Sequence, residues 1–419
     1  MSDHSLSDHP RRLRPTTEVL TRGFDPTLSV GSARPAVFRS STYVFESPEA
    51  AEHAFNLMAG RTAFNPGEQV DLVYSRFNTP NAQITEDHLV PLEEGAAAAL
   101  VFNSGMAAIM TALMAHLKPG DALVYTVPIY GGTQHLIEDV LEPWGIIGVP
   151  VVAGETALIA QTIATTPKLK VVLLESPANP TLKMTDLASA AAAAKQRGAL
   201  VMVDNTFLGP AFQHPLLLGA DIVLYSATKY LGGFSDLLAG VAISKDPAVL
   251  APVRSKRSLF GNILAPDECW ILDSRLPTVH LRMNKQSKNA QRIAEQLVEH
   301  PQVAKLYYPT LFTDPEQLRI FRSQCDFPGA MFAIELKGGK PAAFQFLRAV
   351  KLARNAVSLG GVETLACHPK STTHSGFSEE ACALAGVTDG LVRVSIGIED
   401  WRDLLDDFTQ ALGTIDSLA

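Results

Sequence analysis

From about position 87 the chain alternates between short apolar runs and longer amphipathic ones. The short runs, at 99–102, 122–126, 146–152, 171–174, 200–203, 222–225 and 239–243, are mostly apolar at successive positions. Strands of that kind are buried on both faces. Between most of them lie helical segments, notably at 106–117, 133–143, 157–164 and 187–197. The alternation predicts a mostly parallel sheet covered by helices on both faces. Ligands on such a sheet bind beyond the carboxyl ends of the strands.

The flanks read differently. Residues 1–60 form an irregular arm punctuated by proline, serine and threonine, as in "ARPAVFRSSTYVFESPEA", with a short helix at 48–58. After 251 the rhythm breaks. A long amphipathic helix is expected over much of 266–299, kinked at Pro277, then strands near 303–308, 331–336 and 391–398 and helices at 341–350 and 401–412. The expected organisation is therefore an arm (1–60), a large α/β domain (61–255) and a smaller α+β domain (256–419).

Composition narrows the class. A chain of 419 residues exceeds what one core usually serves, and 47% hydrophobic with 19% charged residues is a globular composition. The net charge of -8, with both signs interspersed, argues against nucleic acid or an anionic membrane as partner. Cys269, Cys325, Cys367 and Cys382 form no C-x-x-C pair and read as reduced thiols. The polar start "MSDHSLSDHPRRLRPTTEVL" has no apolar core for a signal peptide, and no apolar run approaches a membrane span. A cytoplasmic location is expected, and no metal.

Five segments fall where the sheet puts ligands. In "FNSGMAA" a strand ends and a helix opens around Ser104, Gly105 and Met106. Unpaired N–H groups there suit a phosphate, although alone the segment reads as an ordinary turn. "PIYGGT" sets Tyr130 before two glycines, either a capped turn or a ring with room to stack on a planar ligand. "ESPANP" sets Asn179 between prolines, and "VMVDNTF" ends an apolar strand in Asp204, a carboxylate that needs a cationic or hydrogen-bonding partner. "DIVLYSATKYLGGFSD" carries Ser226, Thr228 and Lys229 out of a buried strand. Together these groups complement pyridoxal phosphate: an acid for the ring nitrogen, a ring to stack, a phosphate cradle and an amine for the aldehyde.

The segments "YSRFNTPN", "SGMAA", "ESPANP", "VDNTF" and "SATKYLGGFSD", in this order, resemble the signatures of the Cys/Met-metabolism family of pyridoxal-phosphate enzymes. The likeness runs from about position 40 to the C-terminus. It implies the aspartate-aminotransferase-like fold (fold type I), with an α/β large domain and a smaller α+β C-terminal domain. It also implies roles. Lys229 matches the covalent lysine, Asp204 the partner of the pyridine nitrogen and Tyr130 the stacking tyrosine. Ser104, Gly105, Met106, Ser226 and Thr228 match the phosphate cradle, and Asn179 belongs with the cofactor contacts. Tyr74 and Arg76 match residues that reach a neighbouring subunit's phosphate, which implies a homodimer or homotetramer with shared active sites and an arm that touches the neighbour. Ser358 and Arg393 match substrate contacts, the arginine clamping the α-carboxylate with its planar fork.

Two departures touch the subfamily. The family's glycine–histidine after the lysine is here Gly233–Phe234, and its R-G-L-K-T-L segment appears as "SRLPTV". The expected activity is γ-replacement or γ-elimination on a homoserine-derived or thioether amino acid. A cystathionine γ-synthase-like enzyme leads, because Gly132 stands where methionine γ-lyases carry a cysteine. Glu363 stands where cystathionine-handling members place a glutamate for the distal amino group; a solvated loop carboxylate is the bland alternative. A methionine or cystathionine γ-lyase, an O-acetylhomoserine sulfhydrylase, and a β-lyase or an aminotransferase-like enzyme on the same fold are the other enzymatic readings. A non-catalytic module would require Lys229, Asp204 or Arg393 to be missing, and all three are present.

Overall fold

The computed structural model describes residues 13–58, 60–63, 65 and 72–415. The remaining parts of the expected arm, of the start of the large domain and of the C-terminus lie outside the described residues.

Seven strands form the larger sheet: β1 (Ala98–Phe102), β2 (Ala122–Val127), β3 (Ile147–Val152), β4 (Leu169–Glu175), β5 (Leu200–Asp204), β6 (Ile222–Ser226) and β7 (Gly240–Ser244), in the order β1-β7-β6-β5-β4-β2-β3. All seven are the strands expected from the apolar runs. Alternate residues along β4 explain those runs: Val172 and Leu174 enter one core layer, Val171 and Leu173 the other. With both faces buried, a strand has few positions left for polar residues. The sheet is parallel except at β7, which runs antiparallel to β1 and β6. The connection 227–239 contains no helix, so the chain makes no crossover and returns beside the strand it left. Lys229 sits in that return.

Besides the short Gly209–Phe212, two longer helices around this sheet were not foreseen. Pro80–Leu89 is started by Thr79, whose hydroxyl accepts from Ala82 N at 3.0 Å, with Pro80 at the first helical position. Pro247–Phe260 continues through Pro252, which reads in sequence as a stop. The rhythm therefore breaks not at 251 but past Gly261, whose φ of 75° caps that helix.

The second sheet comprises β8 (Val303–Tyr307), β9 (Met331–Leu336), β10 (Arg354–Asn355), β11 (Leu365–Cys367) and β12 (Leu391–Ser395), in the order β10-β11-β12-β9-β8. β12 is central, paired antiparallel to β11 and β9. The short strands β10 and β11 and the helices Pro315–Gln324 and Glu379–Ala385 were not anticipated, and β12 ends at Ser395, earlier than expected. The long helix is broken as its proline predicts: Pro266–Arg275 and Val279–Leu297 meet at a 3-10 turn holding Pro277. All four cysteines are free.

Candidate active site

The carboxyl ends of β1, β2, β4, β5 and β6 converge on one rim, and the expected residues sit there. Lys229 Nζ donates to Ser358 Oγ at 2.6 Å. Burial, with the nearby Arg393 charge, lowers the lysine to about 8. Ser358 lies in the loop before β11 and has a φ of 88°, a conformation a serine adopts only when its surroundings impose it. The imposing contact is close by. A Cβ at Gly360 would stand 2.7 Å from Tyr230 N, so the loop rests directly on the backbone that carries Lys229.

Arg393 occupies the middle of β12 and is buried, not the strand-edge surface charge that its sequence neighbourhood suggests. Its Nη2 donates to Ser358 O at 2.8 Å and its Nη1 to Asn179 Oδ1 at 3.1 Å. Two cations thus share one polar cluster. Across the rim stand two acids. Asp204 and Glu175 are register partners at the ends of β5 and β4. Burial raises Asp204, opposed by two donors from Thr206, N at 3.0 Å and Oγ1 at 2.6 Å. Burial, then the Asp204 charge, raises Glu175 to about 8.

The phosphate-like corner is equally tight. Ser104 caps the helix Gly105–His116, accepting from Ala107 N at 3.1 Å. A Cβ at Gly105 would fall 2.9 Å from Ser226 Cβ and 3.0 Å from Ser226 Oγ. Only a bare backbone lets the helix N-terminus and the Ser226 hydroxyl face one point. Thr228 turns its hydroxyl to the Ala239 backbone, accepting from N at 3.1 Å and donating to O at 3.3 Å. Tyr130 is 47% exposed, its ring beside Met106 over Gly132, where an added Cβ would meet Tyr130 Cε1 at 2.7 Å and Met106 Sδ at 3.1 Å.

Three expected residues stand apart from the Lys229 cluster. Arg76 Nη1 donates to Ser258 O at 2.7 Å, and the guanidinium lies 4.8 Å from the Phe77 ring centroid and 5.8 Å from that of Tyr74. Arg76 therefore keeps company with the helix Pro247–Phe260, and Tyr74 with Arg76. Glu363 accepts from the Ser235 hydroxyl at the edge of the lysine turn. The two departures from the family pattern meet: the Arg275 guanidinium lies 4.8 Å from the Phe234 ring centroid and that of Arg282 lies 5.6 Å away. Arg282 also donates to Tyr230 O at 2.6 Å and Leu231 O at 3.1 Å, which pins the turn after Lys229.

Three contributors escaped sequence reasoning. Glu175 and Thr206 were in quoted segments without a role; the signal for Glu175 was an apolar strand ending in an acid, as at Asp204. His374 is the third. It is buried beside Arg393, held to about 4 by burial and that charge, with its Nδ1 2.8 Å from the Thr373 hydroxyl. Nothing in the surrounding "STTHSG" announces this.

The profile of the Cys/Met metabolism PLP-dependent enzymes matches residues 16–413. The chain belongs to this family. L-methionine gamma-lyase of Pseudomonas putida is 38% identical over 397 residues, 94% of this chain and 96% of that protein. Cystathionine gamma-synthase of Escherichia coli (strain K12) is also 38% identical, over 391 residues, 93% of this chain and 96% of that protein. The crystal structure of cystathionine gamma synthase from Xanthomonas oryzae pv. oryzae in complex with cystathionine aligns with a TM-score of 0.88 at 34% identity, covering 98% of this chain and 100% of that chain. Equal identity to a lyase and to a synthase leaves the choice between them to the site itself.

The protein is thus a fold type I enzyme whose cofactor is pyridoxal phosphate. Its residues fit that group on two counts. Asp204 is a half-buried acid whose hydrogen bonds among the described residues come from Thr206 alone, so it suits a cationic ring nitrogen. Gly105 leaves a cradle, lined by N–H groups and a hydroxyl, that any larger residue would fill.

Proposed function

We propose that the enzyme catalyses γ-replacement on a homoserine-derived amino acid, joining it to a thiol amino acid in the manner of a cystathionine γ-synthase. One observation carries the γ-chemistry of this reading, with Gly132 in place of a cysteine favouring the synthase: the Lys229 amine, lowered to about 8, is tethered to the Ser358 hydroxyl at 2.6 Å and not to a carboxylate. γ-Chemistry moves protons at two adjacent carbons, so its base must be uncharged part of the time and free to swing. An amine bound to a hydroxyl meets both needs; one locked to an acid meets neither. When bound, pyridoxal phosphate supplies the electron-withdrawing ring that accepts charge from the substrate carbons. Lys229 takes the proton at Cα and relays it, and Tyr130 assists at the neighbouring carbon. Arg393 holds the substrate carboxylate, and Asp204 keeps negative charge where the ring nitrogen lies. Ser104, Gly105, Met106, Ser226 and Thr228 hold the phosphate.

A specific contact supports a second reading. Glu363, the residue proposed to meet the acceptor's amino group, already accepts from Ser235. If that bond persists, the acceptor lacks an amino group or there is none, as in a sulfhydrylase or a γ-lyase. The deciding experiment is a panel of homoserine esters, cystathionine and methionine, with and without cysteine, sulfide or methanethiol. Cystathionine formed from an ester and cysteine supports the first reading, and 2-oxobutanoate as main product under all conditions supports a γ-lyase. Pyruvate from cystathionine overturns γ-chemistry in favour of a β-lyase.

We further propose that the sites are shared in a homodimer or homotetramer, with residues 1–60 as an arm, 61–255 and 256–419 as the two domains, and Tyr74 and Arg76 serving the neighbour's phosphate. In support, Tyr74 is 42% exposed, and Leu28, Val30 and Val44 of the arm expose their side chains. Arg76→Ala and Lys229→Ala chains, each nearly inactive, regain partial activity when reassembled together; mixed oligomers without recovery overturn the sharing. A cytoplasmic location is proposed in keeping with four free cysteines and is checked by fractionation.

A further inference from the structure

Glu175 does more than end a strand. It is 5% exposed, and its two oxygens take different partners: Oε2 accepts from Tyr130 N at 2.7 Å and Oε1 from Asn179 N at 3.1 Å. Each partner leads to a different wall of the site. Tyr130 carries the ring beside Met106, and the Asn179 side chain accepts from Arg393 at 3.1 Å. The backbone that carries this side chain is held as well, because Glu175 N donates to Thr126 Oγ1 at 3.1 Å in the strand that leads to Tyr130. Asp204 is its register partner on the next strand.

We propose that Glu175 is a positioning residue that sets the substrate-carboxylate clamp and the stacking tyrosine in register through its two oxygens. This rests on the proposed roles of Arg393 and Tyr130. The geometry leaves little slack. A turn bearing a proline on each side of Ala178–Asn179 has few ways to orient Asn179, and the bond to Glu175 Oε1 anchors its backbone. With the backbone anchored, Asn179 Oδ1 meets one arm of the guanidinium while Ser358 O meets the other. Arg393 is thereby held by two neutral acceptors and keeps its charge for a carboxylate ligand. Burial and the Asp204 charge raise Glu175, and a cation set against Asp204 relieves the second of these causes.

Glu175→Gln tests the idea at nearly constant shape. The amide keeps one acceptor and turns a donor toward a backbone N–H, and the link expected to break is the longer one, from Asn179 N at 3.1 Å. Ligand binding, not turnover, is the readout: the protein loaded with pyridoxal phosphate is titrated with L-alanine and with propylamine, which has no carboxylate, and the change in visible absorbance is followed. The expected result is alanine bound roughly tenfold more weakly with propylamine unchanged. Arg393→Ala removes the same preference, and adding Glu175→Gln to it costs alanine nothing further. Equal weakening of both ligands, or of neither, overturns the proposal. If Glu175→Gln does not fold, Asn179→Ala decides, because it removes the acceptor beside Arg393 and leaves the backbone bond to Glu175: a carboxylate-selective loss, with propylamine unchanged, supports the relay, and wild-type binding or equal loss of both ligands overturns it. Failure of the substrate panel in the wild-type protein would refute the γ-replacement reading alone, since these titrations need no leaving group.

Discussion

Two buried charge clusters in this molecule are built on opposite rules. Under β1, Glu86 meets Arg257 at 2.6 Å and Arg254 at 3.3 Å, and also accepts from Val101 N at 3.1 Å. Arg257 in turn donates to Val101 O at 2.7 Å. At the strand ends, by contrast, like faces like: Asp204 stands beside Glu175, and Lys229 beside Arg393. Both arrangements remove charge from water, and only the first repays the cost internally. Where the chain uses charge to hold helix Pro247–Phe260 to the sheet, it pairs opposite signs. Where it prepares chemistry, it groups equal signs whose ionisation is shifted and whose partners are ligands.

Breaking each cluster should therefore have opposite consequences. The largest effect is expected for Lys229→Ala, with turnover down on the order of 10³–10⁴ while the apoprotein, relieved of a desolvated cation, is at least as resistant to denaturant. Retained turnover would remove Lys229 from the chemistry. Destabilisation as severe as that of an Arg257 variant would erase the contrast between the clusters.

Asp204→Ala comes next, with a loss of roughly 10²–10³ in rate from a missing charge partner worth about 3–5 kcal/mol. Near-normal turnover would show that no cation is paired there. Arg257→Ala is its counterpart on the stability side, expected to lower the unfolding free energy by a similar ~3–5 kcal/mol through an uncompensated Glu86. An unchanged denaturation midpoint would mean that Arg254 suffices.

Glu363→Ala is smaller and selective. If its carboxylate reads the acceptor's amino group, use of cysteine falls by about one to two orders of magnitude. Sulfide and methanethiol are used as before. Equal loss of all acceptors would assign Glu363, with Ser235, to holding the loop; no loss would shift the reading toward a sulfhydrylase or γ-lyase.

The smallest effect is a pH signature of the apoprotein. Glu175, faced by Asp204 and by the N–H groups of Tyr130 and Asn179, is raised from 4.5 to about 8. The folded state holds that proton where the unfolded chain has lost it, so stability falls as pH rises from about 4.5 to about 8. Lys229, faced by Ser358 and Arg393, is lowered from 10.5 to about 8. The unfolded chain binds that proton where the folded state does not, so stability rises between about 8 and 10.5. Together they predict a shallow minimum near pH 8, measured by thermal melts. Glu175→Gln should shrink its acid limb, to which Glu93, raised by burial to about 8, also contributes, and Lys229→Met should flatten its alkaline limb. Limbs unaffected by these substitutions would assign the profile to other groups.

The sequence by itself determined the larger sheet and its rim. A strand buried on both faces must be written in apolar residues, so its end is visible where polarity returns, and Asp204, Ser226 and Lys229 stand at or just beyond such returns. The ordered motifs carried the family and its cofactor for the same reason, because each spans a few consecutive residues whose spacing the backbone itself imposes. Helix Pro80–Leu89 was readable too, from Thr79 and Pro80, and was passed over only because the flanking residues looked irregular. What tertiary structure alone decided lies in contacts between distant positions. Arg393 meets Asn179 across 214 residues, and Lys229 meets Ser358 across 129. No local pattern encodes such a distance, so neither the burial of Arg393 nor the hydroxyl tether of Lys229 was visible. Phe234 and the segment 274–279 read as unrelated departures, and only the fold sets the Arg275 guanidinium 4.8 Å from the Phe234 ring centroid. Glu175 showed only as an acid ending one strand, and it acquires meaning when the next strand presents Asp204 and two turns aim their N–H groups at its oxygens.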